Sequence, residues 1–410
     1  MSRPQIAIMG VFGAGNFGNE ATLAAYLRFI RAKHTDPILT CICYNTELVK
    51  ATYNIAAVAI GSGPTSTRTV TFWQKFRHRL ACIEPARWLR TLILIRKYDA
   101  LVIPGTGILD DYGTSPGGLP LLLFRWCLAA RLCRVPTSFI GIGAGPINHP
   151  VSRRFMSWAA RLAHSRSYRD LYSKNYARSI GVETSRDTII PDLAFLHADV
   201  SFSRIVTPGS LHVGLGLMTY LGWSCREDEG GQTFSSYIEK MTSLARWLLD
   251  QGHHLHLLIG ELSDQRAVNT LLDILRRELS PEAFNRIAAV PQSSMEGVLA
   301  QAETIDIAIV SRFHNLVAAF CRGKPALSIG YSVKNDFLMA DFGLAAFTQK
   351  IDTLDLDRLF EQFNTLLSQR SELSVKIGTH AVAHRNALQQ HLSRQLNHSN
   401  NESFCTTLRD

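Results

Sequence analysis

The chain has 410 residues, of which 46% are hydrophobic and 19% charged, with a formal net charge of +9. That length accommodates two domains with full cores, and the positive balance points to acidic partners: phosphates, nucleic acid or an anionic membrane surface. The opening MSRPQIAIMG lacks the features of a secretory signal, and no apolar run reaches the ~18–20 residues that span a bilayer, so the expectation is a cytoplasmic protein.

Short apolar runs alternate with helix-period segments along the whole chain, the pattern of βαβ units around a parallel sheet. A strand over 5–10 leads through a glycine-rich loop to a helix over 19–33 and a strand over 38–43, where Cys41 and Cys43 alternate. The eight Cys carry no CxxC pair and read as buried thiols of a reducing compartment. The loop GVFGAGNFGNEA places G-x-G-x-x-G at Gly13, Gly15 and Gly18, with Asn16 between them. Glycines there allow a tight bend and bring N–H groups close to an anion or a sugar. A dinucleotide fingerprint fits poorly: the glycines start late, after Val11 and Phe12, and no acid follows the second strand at Tyr44-Asn45-Thr46. No Lys follows either, which argues against a P-loop. Two readings stay open, a loop that touches another ligand and a plain turn in which Asn19 and Glu20 open the helix.

Residues 68–97 carry Arg68, Lys75, Arg77, Arg79, Arg87, Arg90, Arg96 and Lys97 against one acid, Glu84, interleaved with Phe72, Trp73, Phe76, Trp88 and Leu92. Such a stretch suits an anionic membrane surface, and equally a basic solvated helix pair with its aromatics in the core. No nucleic-acid-binding motif accompanies it. A strand over 101–104 then ends in Gly105-Thr106-Gly107; a helix over 119–133 precedes a strand over 137–141 that ends in Gly143-Ala144-Gly145-Pro146. A helix over 152–164, a short strand to Ser167 and a helix from Asp170 follow.

Ser, Asp, Thr and Pro cluster over 197–208, the expected linker between an N-terminal domain (1–200) and a C-terminal one (208–392). In the second set, strands are expected over 211–217, 254–259, 287–290, 305–310 and 326–329. Helices are expected over 234–250, 263–278, 295–302 and 315–322, with a helical stretch over 355–392 and a mobile polar tail at 393–410. His253, His254 and His256 start one strand; only two share a face and no carboxylate spacing completes a zinc site, so core or surface roles are favoured and no metal is expected. Two Rossmann-like halves put ligands beyond the carboxyl ends of their strands, in the cleft between them.

At one such end, Ser311-Arg312-Phe313-His314 separates an aliphatic strand from an apolar helix. Arg forks onto a carboxylate or phosphate, His passes a proton near neutral pH, and the helix N-terminus adds partial positive charge. Tyr331 and Lys334 follow the next strand and bring a second cation to the same rim. As plain structure, Arg312 would pair with Asp306 or Asp336 and His314 would cap the helix. The convergence of Arg, His and Lys favours an anion site with His314 as proton donor.

These segments resemble the polysaccharide pyruvyl transferase family over roughly residues 5–345. The matching pieces are GxxNxGxEA (Gly13 to Ala21), Gly105-Thr106-Gly107, GxGxGP (141–146) and S-x-R-D-x-x-S (Ser167, Arg169, Asp170, Ser173). They continue with Asp192 before Ala194-Phe195, and with RxH…GxP…YxxK at Arg312, His314, Gly323, Pro325, Tyr331 and Lys334. The resemblance implies two Rossmann-like domains of GT-B type, with phosphoenolpyruvate as donor and no cofactor. The product it implies is a pyruvyl ketal on a glycan or a lipid-linked oligosaccharide acceptor. Arg312 and Lys334, with Tyr331, would hold the donor, and Arg169 would reach it from the first domain on closure. The acceptor or cleft loops would be Gly13, Gly15, Asn16, Gly18, Asn19, Glu20, Gly105, Thr106, Gly107, Gly143 and Asp192. Asn19 stands where the family usually carries Asp. Glu20, Asp110 and Asp192 are the candidate bases. The alternatives are a nucleotide-sugar glycosyltransferase, against which no ribose-holding Glu follows Pro325, and a non-catalytic glycan- or membrane-binding scaffold.

Overall fold

The structure, a computed structural model, describes residues 3–34, 36–61, 85–199, 209–222 and 227–406, with side chains at 227–229 and 396–406 outside that description. The chain divides into two compact units, one of residues 1–14 and 22–193, the other of 15–21 and 194–410. The boundary thus precedes the expected linker, of which 200–208 lies outside the described residues. Seven residues of the first glycine-rich loop, 15–21, belong to the second unit.

The first unit holds a seven-stranded parallel sheet of β1 (Gln5–Met9), β2 (Ile38–Cys43), β3 (Ala56–Ala59), β4 (Ala100–Pro104), β5 (Thr137–Ile142), β6 (Ser165–Tyr168) and β7 (Thr188–Ile189). Their spatial order is β3-β2-β1-β4-β5-β6-β7. β1, β2 and β4 are buried over nearly their whole length, as apolar runs are when helices cover both faces of a sheet. The order reverses between β1 and β4, the switch point where such sheets bind ligands. β3 and β7 escaped the sequence reading because edge strands are short and exposed and carry little apolar signal.

Of the basic segment 68–97, residues 68–84 lie outside the described residues. Residues 85–95 of the remainder form the helix Pro85–Ile95, on which Trp88 packs edge-on against Phe124 and Leu92 packs on the core, while Leu89 and Ile93 are exposed. Among the described residues no helix is long and apolar enough to cross a membrane.

The second unit carries a six-stranded parallel sheet of β8 (His212–Gly216), β9 (His254–Leu258), β10 (Ile287–Ala288), β11 (Ile307–Val310), β12 (Ala326–Gly330) and β13 (Thr348–Lys350), ordered β10-β9-β8-β11-β12-β13. Its switch point lies between β8 and β11. The helical stretch expected over 355–392 is two helices, Leu356–Ser368 and Arg370–Thr406. The second of these runs on through most of the stretch read as a mobile tail. It buries Ile377, Ala381, Leu388 and Leu392, a 4-7-4 spacing that keeps one face on the core.

Candidate functional site

The carboxyl ends of β8, β9, β11 and β12 gather the second-unit residues singled out by sequence. Arg312 is the N-cap of the helix Phe313–Cys321, with extended backbone at φ −80°, ψ 135°. Its Nε donates to Asp264 Oδ2 at 2.9 Å and its Nη2 to Asp264 Oδ1 at 2.7 Å, a two-pronged pair. Nη2 also lies 2.9 Å from Glu261 Oε1. Neither Asp306 nor Asp336 takes this arginine: Asp306 accepts the His212 N–H and Asp336 pairs with Lys350. Asp264 has no exposed surface, and it also accepts the backbone N–H groups of Thr219, Gly260 and Glu261 at 3.0, 3.3 and 3.2 Å. Burial opposes the Arg312 charge, yet Asp264 and Glu261 outweigh it and hold its pKa well above the ordinary arginine value. Burial holds the Asp264 carboxyl above its ordinary pKa, against the opposing pull of Arg312. With five donated bonds converging on it, the pair rests as guanidinium and carboxylate.

Two carboxylates against one guanidinium leave this cluster short of positive charge. Arg312 is therefore a positioned, neutralised cation rather than an uncommitted clamp. Its Cζ sits 5.9 Å from the centre of the Tyr331 ring, which brings the turn after β12 to the turn after β11. Asn335, fully buried, ties the same two turns by donating from Nδ2 to Ser311 O at 3.0 Å. Lys334, next to it, is half-buried in the first turn of the helix Val333–Asp341. Two helix N-termini and Lys334 thus supply the positive potential at this rim.

The loop residues 15–21 complete the cluster. Phe17 N–H donates to Gly260 O at 3.0 Å and Leu262 N–H to Gly15 O at 3.1 Å, with Asn16 and Glu261 paired antiparallel between them. Asn16 Oδ1 accepts the N–H groups of Gly18 and Asn19 and so caps α1 (Phe17–Lys33), while its Nδ2 donates to Glu261 Oε2 at 3.3 Å. Asn19 and Glu20 are half-buried in the first helical turn, which Asn16 caps. A Cβ on Gly18 would lie 1.9 Å from His314 Nδ1, so the glycine is required because the imidazole occupies its side-chain space. Gly260 does the same for Arg312, whose Cβ and Cγ would stand 2.8 Å from an added Cβ.

The first unit repeats this device. A Cβ on Gly143 would fall 2.9 Å from the Arg169 guanidinium, which pairs with Asp192 at 3.1 Å; both side chains are almost wholly buried. Ser167 accepts the Gly141 N–H, and Asp170 caps the helix Leu171–Ser179 by accepting the Ser173 N–H. Gly105 and Thr106 adopt positive φ, and Thr106 O accepts the Gly143 N–H at 2.7 Å, so the turns after β4 and β5, Gly107 included, run side by side. Gly13, also at positive φ, lies against Asn45. Of the candidate bases in this unit, Asp192 faces Arg169 and Asp110 accepts the Tyr112 N–H.

Sequence reasoning missed Asp264, Glu261 and Asn335. The reciprocal hydrogen bonds of Glu261 and Asp264 at the short turn Leu262–Asp264 have the form of a helix cap, so their local spacing signals a cap and not an arginine partner. His212, which opens β8, joins the histidines at the start of β9, its Nδ1 lying 2.7 Å from His256 Nε2 with its ring stacked on His254; this group sits at the amino ends of the two parallel strands, the opposite end from the site.

A family model described as polysaccharide pyruvyl transferase matches residues 16–333. No curated protein matches by sequence. Among solved structures, the chain is similar to a putative UDP-N-acetylglucosamine 2-epimerase from Listeria monocytogenes, with a TM-score of 0.62, 12% identity and 97% of each chain covered. It is also similar to the UDP-GlcNAc 2-epimerase from Neisseria meningitidis bound to UDP-GlcNAc, with a TM-score of 0.59, 13% identity and 96% and 100% coverage. A third is Anabaena Alr3699/HepE in complex with UDP-glucose, with a TM-score of 0.59, 11% identity and 96% and 99% coverage. At such identities the likeness is one of fold, that of two-domain α/β proteins of GT-B type.

Proposed function

The chain belongs to the polysaccharide pyruvyl transferase family, and is thereby an enzyme of pyruvyl transfer to polysaccharide; on that premise we propose phosphoenolpyruvate as the donor and a cyclic ketal as the product. The acceptor is a sugar of a cell-surface polysaccharide or of its lipid-linked precursor. The observation that carries this reading is the grouping of His314, Lys334 and Tyr331 around the Arg312–Asp264 pair, at two helix N-termini. Lys334 and the helix N-termini meet the donor's phosphate and carboxylate, with Arg312 held beside them by its carboxylates.

Chemically, His314 gives a proton to the enol methylene, which becomes a methyl group and leaves the central carbon electrophilic. A sugar hydroxyl adds to that carbon and its proton returns to the imidazole. The neighbouring hydroxyl then displaces phosphate and closes the ring. Two hydroxyl protons leave the sugar, one ending on the methyl group and one on the departing phosphate. Glu20, Asp110 and Asp192 stand as candidate bases for the second hydroxyl, and a role for residues 68–97 at an anionic membrane belongs to the same proposal.

Calorimetry tests the donor: phosphoenolpyruvate is titrated against the chain and against Lys334→Met, with a UDP-sugar and NAD in parallel. Saturable binding of phosphoenolpyruvate alone, weakened in Lys334→Met, is expected. Binding of the UDP-sugar, with phosphoenolpyruvate silent before and after addition of acceptor glycan, overturns the proposal in favour of a glycosyltransferase.

A further inference from the structure

The second unit holds a group of titratable side chains that the proposed reaction does not use. Asp341 is the last residue of the helix Val333–Asp341. His380 and His384, four residues apart, share a face of the long helix Arg370–Thr406. His384 Nε2 lies 3.2 Å and His380 Nε2 3.5 Å from the same oxygen, Asp341 Oδ2, and one ligand atom from each residue fits within 4.8 Å of the others.

An apolar frame fixes these rings. Phe342 stands edge-on to both imidazoles, at 4.7 Å from His380 and 5.2 Å from His384, and Phe195 stands edge-on to His384 at 4.9 Å. Phe342 in turn stacks on Phe320 and Phe195, so the frame is part of the packed interior. The polar edge is open, with the Asp341 side chain 51% exposed, His380 40% and His384 14%.

A simple ion pair explains the arrangement poorly. One protonated imidazole satisfies one carboxylate oxygen; a second, with ring centres 4.5 Å apart, adds like-charge repulsion if protonated. A divalent cation accounts for all three groups at once, because it takes two neutral imidazoles and a carboxylate together. Zinc–ligand bonds of about 2.0–2.2 Å at tetrahedral angles place neighbouring ligand atoms roughly 3.3–3.6 Å apart. The separations from Asp341 Oδ2 are 3.2 and 3.5 Å. The helix C-terminus at Asp341 adds partial negative charge.

We propose that Asp341, His380 and His384 form a two-histidine, one-carboxylate site for a borderline divalent cation of the zinc class, with water in the remaining position. The cation clamps the helix Val333–Asp341, which carries Lys334 in its first turn, to the long helix. Its role is structural, and the binding is independent of pyruvyl transfer.

The test uses the full chain without an affinity tag, stripped by chelator and titrated with Co2+ in the visible range, then challenged with Zn2+. One equivalent of Co2+ with the intense bands of a low-coordinate, nitrogen-ligated ion is expected, displaced by Zn2+, together with a metal-dependent rise in Tm. His384→Gln and Asp341→Asn weaken binding by about tenfold or more, and His380→Gln, at a more exposed position, does so without disturbing the fold. His254→Ala, at the other histidine group, leaves the titration unchanged. Absence of Co2+ uptake overturns the proposal. So does uptake that survives both His380→Gln and His384→Gln, or that vanishes in His254→Ala.

Discussion

Replacing Asp264 by Asn tests the electrostatic account of the site directly. The change keeps the shape but leaves one acceptor oxygen, so either Thr219 N–H, now on Oδ1, or the N–H groups of Gly260 and Glu261, now on Oδ2, lose their acceptor; it also removes the charge that Arg312 meets through two bonds of 2.9 and 2.7 Å. Breaking a buried pair on one side costs about 3–5 kcal/mol, because the surviving charge is left in a poorly solvating place. Glu261, 2.9 Å from Arg312 Nη2, remains as a second partner, so the lower end, about 3 kcal/mol, applies. For a domain of this size that corresponds to a fall in Tm of roughly 6–12 °C. Denaturant unfolding of Asp264→Asn, Arg312→Met and the double variant gives the coupling, expected at about 2 kcal/mol. A loss under about 1 kcal/mol in Asp264→Asn, with no coupling, refutes the claim that Arg312 is committed to this carboxylate.

Other expectations follow from single contacts. Gly18→Ala puts a Cβ where the His314 ring sits; turnover is expected to fall by about 100-fold with the fold intact by circular dichroism, since misplacing a reacting group by about 1 Å costs that much. Lys334→Met raises the KM for phosphoenolpyruvate more than it lowers kcat, measured by phosphate release, if the lysine holds the donor in ground and transition states alike. His253 is buried, and burial, with Arg286 beside it, lowers its pKa below the ordinary 6.5. The unfolded chain then binds a proton that the folded chain refuses, so stability present above pH 6.5 is lost as pH falls through the lowered value. His253→Gln is expected to flatten the decline of Tm in that acid range; an unchanged slope would contradict the assignment.

Much of this molecule is legible in its residues. Alternating apolar runs and helix-period stretches announce two parallel α/β sheets, because burial on both faces of a strand is a local demand on composition. Glycine-rich turns and the Arg312-Phe313-His314 run mark strand ends, where backbone N–H groups and helix N-termini meet ligands. What the turns are for is settled elsewhere. Gly18 is small because His314 stands against it, and Gly260 because Arg312 does. Asn16 reaches Glu261 across 245 residues. Arg312 takes Asp264 over Asp306 and Asp336 because the order β10-β9-β8-β11-β12-β13 brings the loop after β9 to the switch point beside the turn after β11. Nor does spacing announce that Asp341 meets His380 and His384, since only the packing of one helix on another places them together. Periodicity is written residue by residue and can be read so. The partner of a buried charge is chosen by which carboxylate the assembled sheet leaves within reach and out of water, and that choice exists only once the strands are in order.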